Sequence, residues 1–85
     1  MSRIASRVHD FTFTLEGPDE FTVEMADALY EAGCDDASFG TSNGVHFGTF
    51  HREAPSFDEA VSSARADVER AGFGLVVVRV EPGAP

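Results

Sequence analysis

The dipeptide Asn43-Gly44 constrains this chain more than any other feature, because it separates two apolar runs in "ASFGTSNGVHFGTF". A type I′ turn needs positive φ at both central residues, and Asn-Gly meets that need with little strain, so the two runs are predicted to be a β-hairpin. The hairpin falls in the middle of only 85 residues. A chain of that length has room for one hydrophobic core, so the segments on either side must pack onto the hairpin. Gly48 is expected to mark a bulge, since the apolar phase slips between Phe47 and Phe50.

Upstream of the hairpin, "HDFTFTLE" alternates strictly, with Phe11, Phe13 and Leu15 on one face and Asp10, Thr12 and Thr14 on the other. That period of two predicts a half-buried strand. "GPDE" breaks it, and Thr22 is the expected N-cap of a helix reaching about Ala32, with Met25, Ala28, Leu29 and Ala32 in one stripe. Downstream, "PSFDEAVSSARADVERAG" carries an S-x-x-E capping box at Ser56 and Glu59. Phe57, Ala60, Val61, Ala64, Val68 and Ala71 share its apolar face, Arg65 and Glu69 are expected to pair on the other, and Gly72 ends it. "GFGLVVVRVE" reads as a last strand. The order β-α-β-β-α-β predicts an α+β, ferredoxin-like sandwich: a four-stranded antiparallel sheet in the order 4-1-3-2 with two helices on one face. The domain is expected over residues 9–81, after a flexible segment 1–8 and before a tail 82–85.

The lone cysteine follows Gly33, in "EAGCDDASFG". Gly33 is placed to be the left-handed residue that ends the first helix, and Cys34 then sits where a Schellman ending makes its apolar contact. Phe73 holds the matching place after Gly72. Asp35 and Asp36 supply turn chemistry. A reactive thiolate needs positive charge beside it, and two carboxylates act the other way, so Cys34 reads as a buried structural thiol.

Charge and motif content exclude several function classes. Fifteen Asp and Glu against six Arg and no Lys give a formal charge of -9, which repels nucleic acid and anionic membranes and suits a basic partner. One cysteine makes no internal disulfide, no zinc spacing is present, and neither a signal peptide nor a membrane span is legible, so a cytoplasmic protein is expected. His46 and His51 should face opposite sides of one strand, while His9 could approach His46 if the first and third strands pair. No metal or cofactor is expected. "HREAPS" brings Arg52 and Ser56 to a helix N-terminus, a candidate anion or ligand site, set against the alternative that Ser56 is used as a cap and Arg52 pairs with an acid. No hydrolase, metalloprotease, phosphate-loop or dinucleotide motif occurs. The last strand, "LVVVRV", is apolar on both faces although it should lie at a sheet edge. Leu75, Val76, Val78 and Val80 are therefore the expected interface with a second copy or a partner chain.

Three strings carry a family resemblance: "LEGP", "ALYEAGCDDASFG" and "REAPSFDEAVSSARADVERAG". They resemble a poorly characterised family of small bacterial domains that often lie N-terminal to a helix-turn-helix, in transcriptional regulators or antitoxin-like proteins. The second helix is also similar to the Ser/Thr-x-x-Glu-Ala helix of HicB-like antitoxins. The resemblance implies a regulatory setting and no catalytic residue. This chain stops where the helix-turn-helix would begin, so nucleic-acid binding is not expected of it. The function expected is a non-enzymatic interaction and oligomerisation module in bacterial regulation, for which the resemblance implies an antitoxin-like role, with a small-ligand sensor holding an effector at a dimer interface as the alternative.

Overall fold

A computed structural model of the protein describes residues 6–83. Strand β1 spans Arg7–Glu16, helix α1 Val23–Ala32, strands β2 and β3 Ala37–Ser42 and Val45–Ala54, helix α2 Phe57–Arg70, and strand β4 Val76–Pro82. The four strands form one sheet in the order β2-β3-β1-β4, which read from the other edge is β4-β1-β3-β2. Every neighbouring pair is antiparallel.

The hairpin turn forms where Asn-Gly demands it. Asn43 and Gly44 have φ of 53° and 78°, and the ladder closes at once on Ser42 and Val45. Alternation then sends Phe11, Phe13, Leu15, Phe50 and Ala54 to the face covered by the helices. The rings of Phe11 and Phe50 stack at 5.3 Å, and Phe39 meets Phe50 edge-on at 5.8 Å. Met25 and Leu29 of α1 and Ala60, Ala64 and Val68 of α2 complete the core.

Both helices are capped by the expected side chains, with departures in detail. Thr22 accepts from the Met25 amide at 3.2 Å, and the Met25 sulfur takes the place of the usual Glu in receiving the Thr22 N–H. Ser56 accepts from the Glu59 amide at 3.2 Å, but the Glu59 carboxylate meets the Ser56 hydroxyl and not its backbone, so the box is half closed. Gly33 takes φ of 119°, and the amides of Gly33 and Cys34 donate to the Tyr30 and Leu29 carbonyls, a Schellman ending that tucks Cys34 into the core. Helix α2 closes differently: Ala71 donates to the Val68 carbonyl, and Gly72 turns left-handed only afterwards.

Three expectations need correction. The β3 register runs unbroken through Gly48, opposite Phe13 on one side and Phe39 on the other. Gly48 is there for space, since a Cβ would lie 2.6 Å from the Phe39 ring. The irregularity lies in β4, where the pairing with β1 skips Val78. Arg65 and Glu69 form no ion pair among the described residues. Strand β1 also begins at Arg7, so Arg7 and Val8, assigned above to the leading segment, pair with Ala54 and Glu53, while β4 reaches Pro82. The rest of the leading segment before residue 6, and residues 84–85 of the tail, lie outside the described residues.

Candidate functional site

Arg52 falls on the inward parity of β3, between Phe50 and Ala54. A guanidinium there is stable only if its donors are matched, and all five N–H groups are used. Nε and Nη2 grip the Asp36 carboxylate at 2.7 and 3.0 Å; Nη1 donates to Asp67 at 2.9 Å and to Ser63 at 3.1 Å; Nη2 also donates to the Gly33 carbonyl at 2.8 Å. The ring of Phe50 lies 5.4 Å below the cation. The bonds to Asp36 hold the guanidinium above its ordinary pKa, against the opposing effect of burial. Arg70 joins the same cluster through Asp67 and the Ala32 carbonyl. Arg52 therefore ties the end of α1, the start of β2 and the middle of α2 to the central strand.

That cluster alters the reading of the anion site. No donor of Arg52 is left for a ligand, and the Ser56 oxygen is taken by the α2 N-terminus. The two residues do not converge as a site. The acidic partners, Asp36 and Asp67, were not visible as partners in the sequence. Asp36 looks like a turn residue, and Asp67 is separated from Arg52 by most of a helix. The parity of Arg52 with Phe50 and Ala54 was the available signal, since an arginine turned inward needs acids around it.

Cys34 lies beside this network. Burial, followed by the Asp67 carboxylate, pushes its thiol up to about 12, so it stays protonated and unreactive. The histidines are dispersed. His46 is buried, donating Nε2–H to the Pro18 carbonyl at 2.7 Å, which leaves Nδ1 to accept from the Thr41 hydroxyl at 2.7 Å. It pins the β1–α1 loop to the hairpin. His51, on the opposite face, donates Nδ1–H to exposed Asp10 at 2.7 Å. His9 donates to the Ala54 carbonyl at 3.2 Å. Although β1 and β3 pair, His9 stands opposite Arg52 and His46 opposite Leu15, some 20 Å apart along the strands. Among the described residues no group of three His, Cys, Asp or Glu could hold a metal, and no helix is long and apolar enough to cross a membrane.

The β4 edge is the remaining candidate, and the structure divides the four expected interface residues. Leu75 is a core residue at 2% exposure, and Val80 leans inward opposite Phe13. Val76 and Val78 are the outward pair, at 50% and 49%. The bulge accounts for this, because skipping Val78 resets the alternation between Val77 and Val80. Beside them, across Glu16, Val45 is also exposed, and an open depression of about 680 Å³ is lined by Thr14, Glu16, Pro18, Val45, His46 and Val78. The rest of the uncovered sheet face is mixed: Thr12, Thr14, Thr49, Asp10, His51, Arg79 and Glu81 are hydrophilic, while Phe47 and the exposed Val8 are apolar. Comparison with protein-family models, with curated proteins and with solved structures found no match for this chain.

Proposed function

We propose that this chain is a ferredoxin-like, non-enzymatic interaction module that self-associates through Val76, Val78 and the adjoining end of its uncovered sheet face. Two observations support the fold name: the element order, and a strand order that reads 4-1-3-2 from the β4 edge. The single observation carrying the function is the pair of half-exposed valines on an edge strand, continued by Val45. Arg79, Glu81, Pro82 and the bulge at Val78 stand against backbone pairing along β4, so the contact is made by side chains. The non-enzymatic reading is supported by the engagement of the groups singled out as candidates for chemistry: Arg52 is saturated, Cys34 is held neutral, and the three histidines serve separate structural bonds. The bacterial regulatory, antitoxin-like setting rests on the sequence resemblance alone.

Light scattering tests this directly. The protein should be a dimer or larger at micromolar concentration, and Val78→Lys should render it monomeric without loss of fold, because the side chain already faces solvent. A monomeric parent chain, or an unchanged assembly in Val78→Lys, overturns the reading.

The depression beside Val45 and Val78 favours a second reading, in which an effector is held at the dimer boundary. A saturable rise in melting temperature with an amino acid or nucleotide supports it, and a flat panel removes it.

A further inference from the structure

Helix α1 has more apolar surface than the core uses. Its inward side is Met25 and Leu29, yet Val23, Ala26 and Tyr30 form a second stripe at i, i+3 and i+7, with Val23 at 77% and Tyr30 at 64% exposure. This flank looks across a groove of about 390 Å³ to Ala37 and Phe39 of β2, with Phe21 at one end.

Below the groove, β2 is an edge strand. The His51 amide donates to the Asp36 carbonyl at 3.0 Å. In an antiparallel ladder bonded pairs recur at every second residue, so Ser38, Gly40 and Ser42 direct their backbone groups to β3, while Ala37, Phe39 and Thr41 turn theirs outward. Unlike β4, the run from Ala37 to Ser42 contains no charge, proline or bulge to discourage pairing.

Charge and symmetry select the occupant. The chain carries a formal charge of -9, yet no Asp, Glu, Arg or Lys occurs from Ala37 to Phe50. Two copies repel over most of their surfaces, and at this edge they can meet without setting carboxylate against carboxylate. The exposed acids of α1 stand aside. At roughly 100° per residue, Asp27 and Glu31 lie roughly 40° and 80° beyond Val23, on the side away from Ala26 and the groove. A two-fold axis at Phe39 sets that residue against its own copy and Ala37 against Thr41, the register that pairs all three outward backbones. Residues directly opposite share a face, so Ala37, Phe39 and Thr41 of the second copy come to the helix side, at the groove. Its Ser38, Gly40 and Ser42 extend the uncovered face beside the same three small residues. In this register Asp35 and Asp36 fall opposite Asn43 and Ser42 of the second copy, and not opposite acids.

We infer that β2 pairs with β2 of a second copy, antiparallel and centred on Phe39, so that the two sheets become one and the apolar flanks of the two α1 helices close over the groove. This contact lies at the opposite edge of the sheet from Val76 and Val78 and does not depend on them. With one short strand and like net charges it is the weaker of the two. Two such two-fold contacts at opposite edges join copies into assemblies longer than a dimer.

The test uses Val78→Lys, which removes the β4 contact, with sedimentation and amide exchange followed as the protein is concentrated from about 1 μM to about 1 mM. It should pass from monomer to dimer. Exchange at Ala37, Phe39 and Thr41 should slow with concentration, while Ser38, Gly40 and Ser42, already bonded to β3, should not change. Raising ionic strength from about 0.01 to about 0.1 M shortens the screening length from roughly 30 to roughly 10 Å, and should tighten the dimer by screening repulsion. Adding Val23→Glu with Tyr30→Glu sets carboxylates on the facing flanks and should weaken the dimer about tenfold. Both side chains are exposed, so the fold is kept. A Val78→Lys protein still monomeric at about 1 mM, protection that spares Phe39, a dimer that weakens with salt, or indifference to the double variant overturns the inference. A parent chain that is monomeric at micromolar concentration, yet gains the Phe39 protection when concentrated, refutes the valine contact and supports this one.

Discussion

Replacing Arg52 by Met tests the central physical claim about this fold, that a buried cation holds three elements together. The substitution keeps an apolar stem of similar length over Phe50 and removes every donor. The Gly33 carbonyl then loses its side-chain partner, Asp67 keeps only Arg70, Ser63 keeps its bond to the Ala60 carbonyl, and Asp36, with 28% of its side chain exposed, turns to water. Breaking a buried pair by removing one partner costs about 3–5 kcal/mol. The solvent available to Asp36 argues for the lower end, about 3. A domain of 85 residues has roughly 4–13 kcal/mol in all, at about 0.05–0.15 per residue. The variant should therefore lose a quarter to most of its stability, with a fall in Tm of about 12–24 °C at about 4–8 °C per kcal/mol. Urea unfolding at neutral pH, followed by circular dichroism, measures it. Arg52→Lys keeps the charge but offers fewer donors and no planar fork, so it should fall between the parent and Met. A double-mutant cycle with Asp67→Asn should give a coupling above about 0.5 kcal/mol, the scale that separates interacting from independent sites. Should Arg52→Met unfold within about 0.5 kcal/mol of the parent, as ordinary surface substitutions do, the network is not structural. Phosphate that raised Tm through Arg52 would refute saturation of its donors.

Alkaline pH should expose the burial of Cys34. Its thiol titrates at 9.0 when unfolded and about 12 when folded, so above 9.0 the unfolded chain releases a proton that the folded chain keeps. The stability it contributes is fully present below 9.0 and declines by about 1.4 kcal/mol per pH unit as pH rises toward 12. Cys34→Ala should flatten that limb in urea titrations, and an identical slope in both proteins would show that the thiol is not the cause. Arg52 adds nothing to this limb, because its contribution stays whole until pH passes the ordinary arginine value, which lies above this range. Gly48→Ala should cost about 1–3 kcal/mol by overpacking, since the new methyl falls 2.6 Å from the Phe39 ring. Gly40→Ala, where the near atom is the tip of Phe47 at 2.9 Å on the uncovered face, should cost clearly less. Equal losses in thermal melts would mean that Phe39 moves as freely as Phe47.

What was legible in the sequence was what local physics decides. Asn43-Gly44 admits one turn, Thr22 and Ser56 cap because their hydroxyls have orphan amides to accept, and Gly33 ends α1 because only glycine takes φ of 119° cheaply. Strand parity placed Phe11, Phe13 and Leu15 in the core for the same reason. The losses came wherever a residue's role depends on what stands across from it. Gly48 looked like a phase slip because Phe47 and Phe50 were both assumed to point inward, whereas Phe47 covers Gly40 on the other face. Arg52 looked like a loop donor because its acids lie sixteen residues before it and fifteen after it in the chain. Val80 looked like surface because a bulge inside β4 shifts the parity beyond Val77, and Leu75 because the exposed run was begun one residue before the strand itself starts. The α1–β2 groove had no local signature at all, since Val23 and Tyr30 belong to a minor stripe that matters only beside an open strand.

The Arg52 cluster and that groove are mechanically connected. The walls of the groove are α1 and β2, and the connection between them runs through Gly33 to Asp36, the segment Arg52 holds by one carbonyl and one carboxylate. Asp67 anchors the other end of the guanidinium to α2, and Arg70 closes the loop back to the Ala32 carbonyl. The turn between helix and strand is therefore clamped from two sides by groups that never reach the groove. The spacing of α1 and β2 is set by side chains that lie outside the groove between them. The same buried charge that looks expensive for so small a core thus fixes the turn between α1 and β2 as well as the seat of α2.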